Sequence, residues 1–143
     1  MRNEKICLPR SLVLDILHQA QASPEREICG LISAKGGQAY ACYPVPNVAA
    51  DPTRAFQLDP RRQIEIMSAW RACGESLYAI YHSHPHAPAV PSTADVQQFA
   101  YPGAYYLIVS LNTQGVLEMR GFATTPPFTE IPLLCTDARV DES

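Results

Sequence analysis

Two histidines and an aspartate are the residues of this sequence that are best suited to chemistry. His82 and His84 follow residues 75–81, whose aliphatic and aromatic side chains predict a buried strand. Side chains along a strand alternate between its two faces, so both imidazoles point to the same side, with Cα atoms about 6.6 Å apart. This spacing allows the two rings to bind one cation.

Asp95 can supply a third ligand to the same cation. A proline-rich loop, residues 85–91, precedes it and can fold back toward the end of the strand. Three protein ligands leave the fourth position of a tetrahedral site open for water, as in catalytic zinc sites, whereas structural zinc sites fill all four positions with protein groups. The arrangement therefore predicts the metal site of a hydrolase.

Each part of this pattern also has a purely structural explanation. Histidines near a strand end are commonly core or surface residues. Ser92 followed three residues later by Asp95 is a helix N-cap with an acidic residue in the first turn, which needs no catalytic role. Cys29 shares strand parity with Glu27 and is either a nucleophile paired with a histidine or a buried thiol. Taken singly, the residue types leave these alternatives open.

The combination of residues is far more specific than any one part. Glu27-Ile-Cys-Gly lies upstream of His82-Ser-His84, which is followed by seven residues, Ser92, two residues and Asp95. A proline directly follows the second histidine. This pattern resembles the signature of the JAMM, or MPN-plus, metallopeptidases, in which an upstream glutamate accompanies His-x-His-x7-Ser-x2-Asp.

The resemblance implies a role for each of the five residues. His82, His84 and Asp95 bind one Zn²⁺ per chain, and a water molecule whose pKa the metal lowers to about 7 completes the tetrahedron. Glu27 is the general base that carries a proton from this water to the leaving amine. Ser92 donates a hydrogen bond to the water or to the developing oxyanion. Histidine and carboxylate ligands also fit iron, cobalt or manganese.

The residues between the glutamate and the histidines narrow the resemblance. The run Pro46-Asn-Val-Ala-Ala-Asp-Pro-Thr-Arg-Ala-Phe56, followed by Leu58-Asp-Pro60, is similar to a small bacterial branch of the family. That branch acts at the C-terminus of ubiquitin-like sulfur-carrier proteins. The implied partner is a carrier with a Gly-Gly tail, from which the enzyme releases cysteine or trims extra residues. Glycines can lie flat beside an edge strand, and we expect the tail to bind near Phe56 or residues 87–91.

Three other functions stay open at this stage. The same site could remove ubiquitin-like modifiers from proteins, or cleave cell-wall or phage-tail peptides. A function of another class is a non-catalytic MPN scaffold that acts through protein contacts. Scaffold members typically lack the metal ligands, so the intact residues at positions 27, 82, 84 and 95 argue against this alternative.

Composition and charge disfavour several other classes of protein. The 143 residues, 47% hydrophobic and 17% charged, predict one globular domain over residues 1–143. The net charge of −3 comes without a basic cluster, which disfavours a nucleic-acid partner. No apolar run approaches the roughly 20 residues of a membrane span, and residues 1–10 lack the apolar core of a signal peptide. We therefore expect a cytoplasmic protein, and a homodimer stays open as an alternative to a monomer. The five cysteines are widely spaced and predict neither a disulfide framework nor a Cys-x-x-Cys zinc site.

The predicted elements form a mixed α/β domain with hairpins. Helices are predicted at residues 9–22, 60–73 and 92–100, and strands at 27–33, 38–45, 75–81, 104–111, 116–122 and 128–134. The expected apolar faces are Leu12, Val13, Leu14, Ile16 and Leu17 in the first helix and Ile64, Met67 and Trp70 in the second. The resemblance implies a JAB/MPN-type α+β fold, a mixed, largely antiparallel curved sheet flanked by helices, similar to that of cytidine deaminases.

Overall fold

The computed structural model describes residues 4–101, 103–112 and 117–136. The helices in these ranges are α1 Arg10–Ala22, α2 Pro60–Cys73 and α3 Thr93–Gln98. The strands are β1 Ile6–Pro9, β2 Cys29–Lys35, β3 Gln38–Val45, β4 Ser76–His84, β5 Tyr105–Ser110, β6 Glu118–Ala123, β7 Thr129–Ile131 and β8 Leu133–Thr136. Across the described part of the chain, no helix is both long enough and apolar enough to span a membrane.

A six-stranded sheet in the order β3-β2-β4-β5-β6-β7 forms the centre of the fold. Its neighbouring strands are antiparallel except β4 and β5, which are parallel. A separate pair joins β1 and β8 in parallel. The expected mixed α+β fold with a largely antiparallel sheet is therefore confirmed.

The β2–β3 hairpin and α2 are predicted correctly because their ends carry strong local signals. Gly36 and Gly37 adopt φ values of 62° and 79°, in the left-handed region that the turn requires. The Asp59 carboxylate accepts a hydrogen bond from the backbone N of Arg61 at 3.1 Å, and α2 begins at the next residue after Asp59. Gly74 ends α2 in a left-handed conformation.

Three predicted elements differ from the structure. Strand β1 was not predicted, because its partner β8 lies more than a hundred residues away in sequence. The predicted strand 128–134 is two strands separated by Pro132, which has no N–H for a ladder. Helix α3 is shorter than 92–100, since Phe99 is extended and its ring packs against Tyr106 and Phe128. Residues 113–116 and the tail after Thr136 lie outside the described residues.

The buried faces of α1 and α2 also differ in part from the predicted faces. The buried residues recur at four-residue spacing: Leu12, Ile16 and Ala20 in α1, and Ile66 and Trp70 in α2. Leu14 and Ile64 were expected in the core but are 56% and 65% exposed. Both helices contain more apolar residues than one stripe can bury, and the sheet beneath each helix decides which stripe faces inward.

Alternation along β4 determines where its functional side chains lie. Ala79 and Tyr81 belong to the hydrophobic cluster that includes α1. Ile80, from the opposite face, belongs to the cluster that includes α2. His82 and His84 continue the Ile80 face to the end of the strand. Both histidines therefore lie on the face of the sheet that packs against α2, next to the hydrophobic cluster that contains Ile80.

Candidate metal centre

The side chains of His82, His84 and Asp95 converge on one point. The Nε2 atoms of the two histidines are 2.9 Å apart, and Asp95 Oδ2 lies 3.5 Å from His82 Nε2 and 3.2 Å from His84 Nε2. Ligand atoms bound at 2.0–2.1 Å to a tetrahedral zinc ion are about 3.3 Å from one another. The three separations lie on either side of this value, so the donor atoms are grouped as a bound zinc ion would require.

Backbone pairing with the neighbouring strands holds the two histidines in place. His82 pairs with Cys29 of β2 and with Ile108 of β5, and His84 pairs with Ser110. The strand therefore extends through both histidines instead of ending at residue 81. Because the neighbouring strands fix the backbone, the two imidazoles project from a rigid support.

A capping box fixes the third donor. Ser92 Oγ accepts a hydrogen bond from the backbone N of Asp95 at 3.0 Å, and Asp95 Oδ2 accepts one from the backbone N of Ser92 at 2.9 Å. The oxygen in this capping box is the same Oδ2 that approaches the histidines. The helix-capping role of Ser92 and Asp95 is therefore compatible with the proposed role of Asp95 as a metal ligand, because one arrangement serves both.

The two histidines differ in what their other ring nitrogens contact. His84 Nδ1 lies 2.7 Å from the carbonyl oxygen of Pro88, which can only accept, so Nδ1 carries the proton and Nε2 is available to a metal. Within the described ranges His82 Nδ1 has no hydrogen-bond partner. The ring of Phe56 stacks on His82 instead, with centroids 4.3 Å apart and planes at 20°. Among the described residues, only His84 of the two therefore has an oxygen partner for its other ring nitrogen.

The charge states of the cluster suit a cation. Burial raises the pKa of Asp95, but hydrogen bonds with His82 and His84 outweigh burial and hold the pKa of Asp95 well below its usual range. Burial lowers the pKa of His82 and so favours the neutral ring. Burial also lowers the pKa of His84, but bonds to Asp95 and Pro88 raise it overall, so a proton competes with a metal there. A carboxylate and neutral imidazoles are the forms that bind metals.

Glu27 lies beside this cluster. It directly precedes β2, and continuing the pairing of Cys29 with His82 by two residues places it opposite His84, on the same face of the sheet. Its side chain is buried, and among the described residues Oε1 has no hydrogen-bond partner. Burial raises the pKa of Glu27 to about 7, with smaller opposing effects of His84 and Asp95. A carboxyl group with this pKa can both accept and release a proton near neutral pH.

The glycine of the Glu27-Ile-Cys-Gly motif has a packing role on the other face of the sheet. A Cβ at Gly30 would collide with the phenol of Tyr81, its partner in β4. The Tyr81 hydroxyl donates to Gln19 Oε1 at 2.7 Å and accepts from Cys42 Sγ at 3.3 Å. Gly30 therefore lets Tyr81 lie flat and connect the strand that carries the histidines to α1.

Cys29 does not have the environment of a nucleophile. Its Sγ is buried and donates to the carbonyl oxygen of Val45 at 3.4 Å. Burial, with a contribution from Glu27, raises the pKa of the Cys29 thiol to about 12. The thiolate is the reactive form of cysteine, so a thiol held neutral is inert. The structure favours the buried-thiol alternative.

Several contributors to the site could not be identified in advance. Ser83 Oγ accepts a hydrogen bond from the backbone N of Ile28 at 2.9 Å, which ties the residue after Glu27 to the strand of the histidines. In the sequence, Pro88 and Asn47 show only that they belong to loops. His86 is exposed, and its Nε2 lies 3.3 Å from Glu25 Oε1.

A cavity of about 310 Å³ opens beside Asp95. Its apolar lining includes Phe56, Leu58, Ile80, Phe99 and Tyr106, and the amides of Gln63 and Gln98 add polar groups. A concave, mostly apolar space with a few polar groups next to reactive side chains is the usual form of a ligand site.

We expect Asp95→Ala to lower the metal content of the protein, because it removes one of three donor atoms. Metal analysis after dialysis against a slight excess of zinc measures this directly. Asp59→Ala is the matched control, since it also removes a capping carboxylate, at the start of α2 and away from the cluster. A full equivalent of zinc in Asp95→Ala would exclude Asp95 as a ligand.

We expect Glu27→Gln to stabilise the metal-free protein at alkaline pH. The pKa of Glu27 is about 7 in the folded chain and 4.5 as an ordinary glutamate, so burying its charge opposes folding increasingly between pH 4.5 and 7. Glutamine carries no charge, so the gain in Tm over the wild type should be absent below pH 4.5 and complete above 7. Thermal unfolding with a chelator tests this; an equal gain at pH 4 and 8 would contradict a buried charge.

Comparison with known proteins places the chain in a family. Residues 9–121 match the family described as prokaryotic homologs of the JAB domain. A solution structure, protein DSY2949 from Desulfitobacterium hafniense, superposes with a TM-score of 0.77 at 27% identity and covers 94% of both chains.

Curated relatives share parts of the sequence. A desampylase of Haloferax volcanii is 38% identical over 93 residues, which cover 64% of this chain and 67% of the relative. A probable TtuB-protein conjugate cleaving protease of Thermus thermophilus is 40% identical over 73 residues, 51% of this chain and 47% of the relative. Tail tip assembly protein K of Escherichia phage N15 is 34% identical over 119 residues, 83% of this chain and 44% of the relative.

The matched segments thus span about two thirds of the first relative and less than half of the other two. The family match nevertheless covers most of the chain and includes Glu27, His82, His84, Ser92 and Asp95. The resemblance to the JAMM metallopeptidases is confirmed, and the chain belongs to the family of prokaryotic homologs of the JAB domain.

Proposed function

We propose that this JAMM-type metallopeptidase hydrolyses the bond after the C-terminal Gly-Gly of a ubiquitin-like protein, with zinc held by His82, His84 and Asp95. The observation that carries the proposal is the convergence of three donor atoms within 3.5 Å beside a buried glutamate that is not one of them. A ligand set of this kind with a separate base is what metal-assisted amide hydrolysis requires.

The substrate class is supported by two of the relatives. One is named as a protease that cleaves TtuB-protein conjugates and the other as a desampylase. We infer that the substrate of this chain is a ubiquitin-like protein joined through its C-terminus. We infer further that it is a sulfur carrier, from which cysteine or a short extension is released, because residues 46–60 resemble the branch with that substrate.

Each residue of the site has a step to perform. A bound zinc ion would supply a water of lowered pKa and polarise the scissile carbonyl. Glu27, with its pKa near 7, accepts a proton from the nucleophilic water and transfers it to the leaving amine. Ser92 Oγ already accepts from the backbone N of Asp95, which leaves its own hydrogen to donate to the oxyanion.

The position of Glu27 predicts on which side of the metal cluster each part of the substrate lies. Because Glu27 protonates the leaving amine, the leaving group lies on its side of the cluster. The acyl part, which ends in Gly-Gly, then lies on the other side, where the cavity beside Asp95 opens and Glu27 is not among the lining residues. Phe56 stands between this cavity and His82, so the tail would pass along its ring.

A phage-tail or cell-wall peptide is a second candidate substrate. The relative from Escherichia phage N15 is a tail tip assembly protein, and the match to it covers 83% of this chain. The catalytic steps would be the same for this substrate. Only the occupant of the acyl side of the site would differ.

The test combines metal analysis with cleavage assays on the purified protein. The substrates are a ubiquitin-like carrier extended beyond Gly-Gly, the same carrier joined to a lysine side chain, and cell-wall peptides, each with and without a chelator. We expect one equivalent of zinc and chelator-sensitive cleavage directly after Gly-Gly, read by mass spectrometry. Cleavage of the wall peptides alone would move the function to the second candidate.

We expect Glu27→Gln to abolish cleavage while zinc stays bound, because the base is not a ligand. Glutamine keeps the shape of the side chain but cannot accept the proton. Metal content and turnover are measured on the same preparation, with Glu25→Gln, an exposed glutamate of the preceding loop, as the control. Loss of zinc from Glu27→Gln would contradict the assignment.

We expect Phe56→Asp to lower kcat/KM by about tenfold or more, since it removes an apolar contact and places a charge beside the acyl cavity. Val48→Asp is the control, because Val48 belongs to the same loop and its side chain is exposed. The comparison is made with the Gly-Gly carrier substrate at saturating zinc. Unchanged kcat/KM in Phe56→Asp would remove Phe56 from the path of the tail.

A further inference from the structure

The loop between β3 and α2, residues 46–59, folds around one amide side chain. Asn47 Nδ2 donates to the carbonyl oxygens of Glu27 at 2.9 Å and of Ala55 at 3.0 Å. Asn47 Oδ1 accepts from the backbone N of Ala49 and of Gln57, both at 3.0 Å. An asparagine amide offers two donors and two acceptor sites, so the side chain uses its full capacity.

These four partners also fix the orientation of the amide. Two are carbonyl oxygens and two are N–H groups, so exchanging the amide nitrogen and oxygen would leave all four bonds unmade. Backbone pairing between Asn47 and Leu58 and a bond from Val48 N to Gln57 O at 2.9 Å close the two ends of the loop around it.

The loop holds the main chain of the general base on both sides. The N–H of Glu27 donates to the carbonyl of Pro52 at 2.7 Å, and its carbonyl accepts from Asn47. Glu27 precedes the first paired residue of β2, so the sheet ladder does not hold it directly. Both of its backbone polar groups are therefore satisfied by the loop.

The same side chain holds the two neighbours of Phe56. The carbonyl of Ala55 and the N–H of Gln57, which flank Phe56, are both bound to the Asn47 amide. The Phe56 ring stacks on His82 with centroids 4.3 Å apart. The Asn47 amide is thus bonded to the backbone of Glu27, the proposed base, and to the backbone on both sides of Phe56. The Phe56 ring in turn covers His82, a proposed metal ligand.

We propose that Asn47 is a positioning residue that sets Glu27 relative to the metal cluster and couples its position to the loop that carries Phe56. The inference rests on the proposed role of Glu27 as the base. Proton transfer requires the base within hydrogen-bond reach of the reacting water, and a displacement of about 1 Å can cost about a hundredfold in rate. Asn47 itself touches neither substrate nor metal in this role.

The test uses Asn47→Asp, which keeps the accepting oxygen but replaces the donor with a second oxygen. The hydrogen bonds donated by the backbone N of Ala49 and of Gln57 can persist. The carbonyl oxygens of Glu27 and Ala55 would then face a carboxylate oxygen, which cannot donate a hydrogen bond to them. Asp51→Ala is the matched control, because Asp51 stabilises the same loop through Thr53 and contacts neither Glu27 nor the neighbours of Phe56 through its side chain.

The first measurement is hydrogen exchange of the metal-free protein, read on peptides that contain Glu27 and Gln57. In Asn47→Asp we expect exchange at Glu27 to accelerate by about fivefold or more, and exchange in β4 and β5 to be unchanged. In Asp51→Ala, exchange at Glu27 should match the wild type. Wild-type exchange at Glu27 in Asn47→Asp would overturn the proposal.

The second measurement is kinetic, with metal content determined on the same samples. We expect Asn47→Asp to keep one equivalent of zinc, to lose about tenfold or more in kcat, and to change KM by less than about threefold. An equal loss of kcat in Asp51→Ala, or loss of zinc from Asn47→Asp, would overturn the positioning role. If the wild type cleaves none of the substrates, the proposed function fails, and the exchange result still decides whether Asn47 holds Glu27.

Discussion

The pairing of β4 with strands on both of its sides is the constraint on which the site depends. Antiparallel pairing with β2 places the start of that strand opposite the histidines, and parallel pairing with β5 fixes the backbone of the histidines themselves. Because side chains alternate, one register decides that His82, His84 and Glu27 share a face. A shift of β4 by one residue would turn both histidines to the other face of the sheet and separate them from Glu27.

The pKa values of the two carboxyl groups at this site are shifted in opposite directions. The Glu27 carboxyl is buried with an unpaired oxygen, and desolvation raises its pKa to about 7. The Asp95 carboxyl is only partly buried, and its hydrogen bonds with the two histidines hold its pKa low. Two acidic side chains on one site thus suit different roles, a proton carrier and a permanently charged ligand, because only one of them has partners for its charge.

The candidate metal ligands and the proposed binding surface are built from different parts of the chain. The strands and the capping box of α3 hold the donor atoms. Loop 46–59 supplies Phe56 and part of the cavity wall, and it also satisfies the backbone of Glu27. A loop that is bonded in this way to Glu27, the proposed base, cannot move without disturbing it. Under the proposed role of Glu27, changes in the loop would alter catalysis as well as substrate binding.

Much of the fold and site could be predicted from local signals. The glycines at 36 and 37, the Asp59-Pro60 start and Gly74 specify a hairpin and a helix because they act within a few residues. The signature residues were likewise identified by type and spacing, and the structure brings His82, His84 and Asp95 together with Glu27 beside them.

Other features depend on contacts between segments that are distant in sequence. The pairing of β1 with β8, the exposure of Leu14 and Ile64, and the bond from His84 to the Pro88 carbonyl follow from which surfaces meet. Asn47 looks like any loop asparagine in the sequence, and only the folded chain brings Glu27 and the neighbours of Phe56 to its amide. The sequence by itself determined which chemical groups are available, since that depends on residue type. The tertiary structure decided their hydrogen-bond partners and burial, and through these their charge and position.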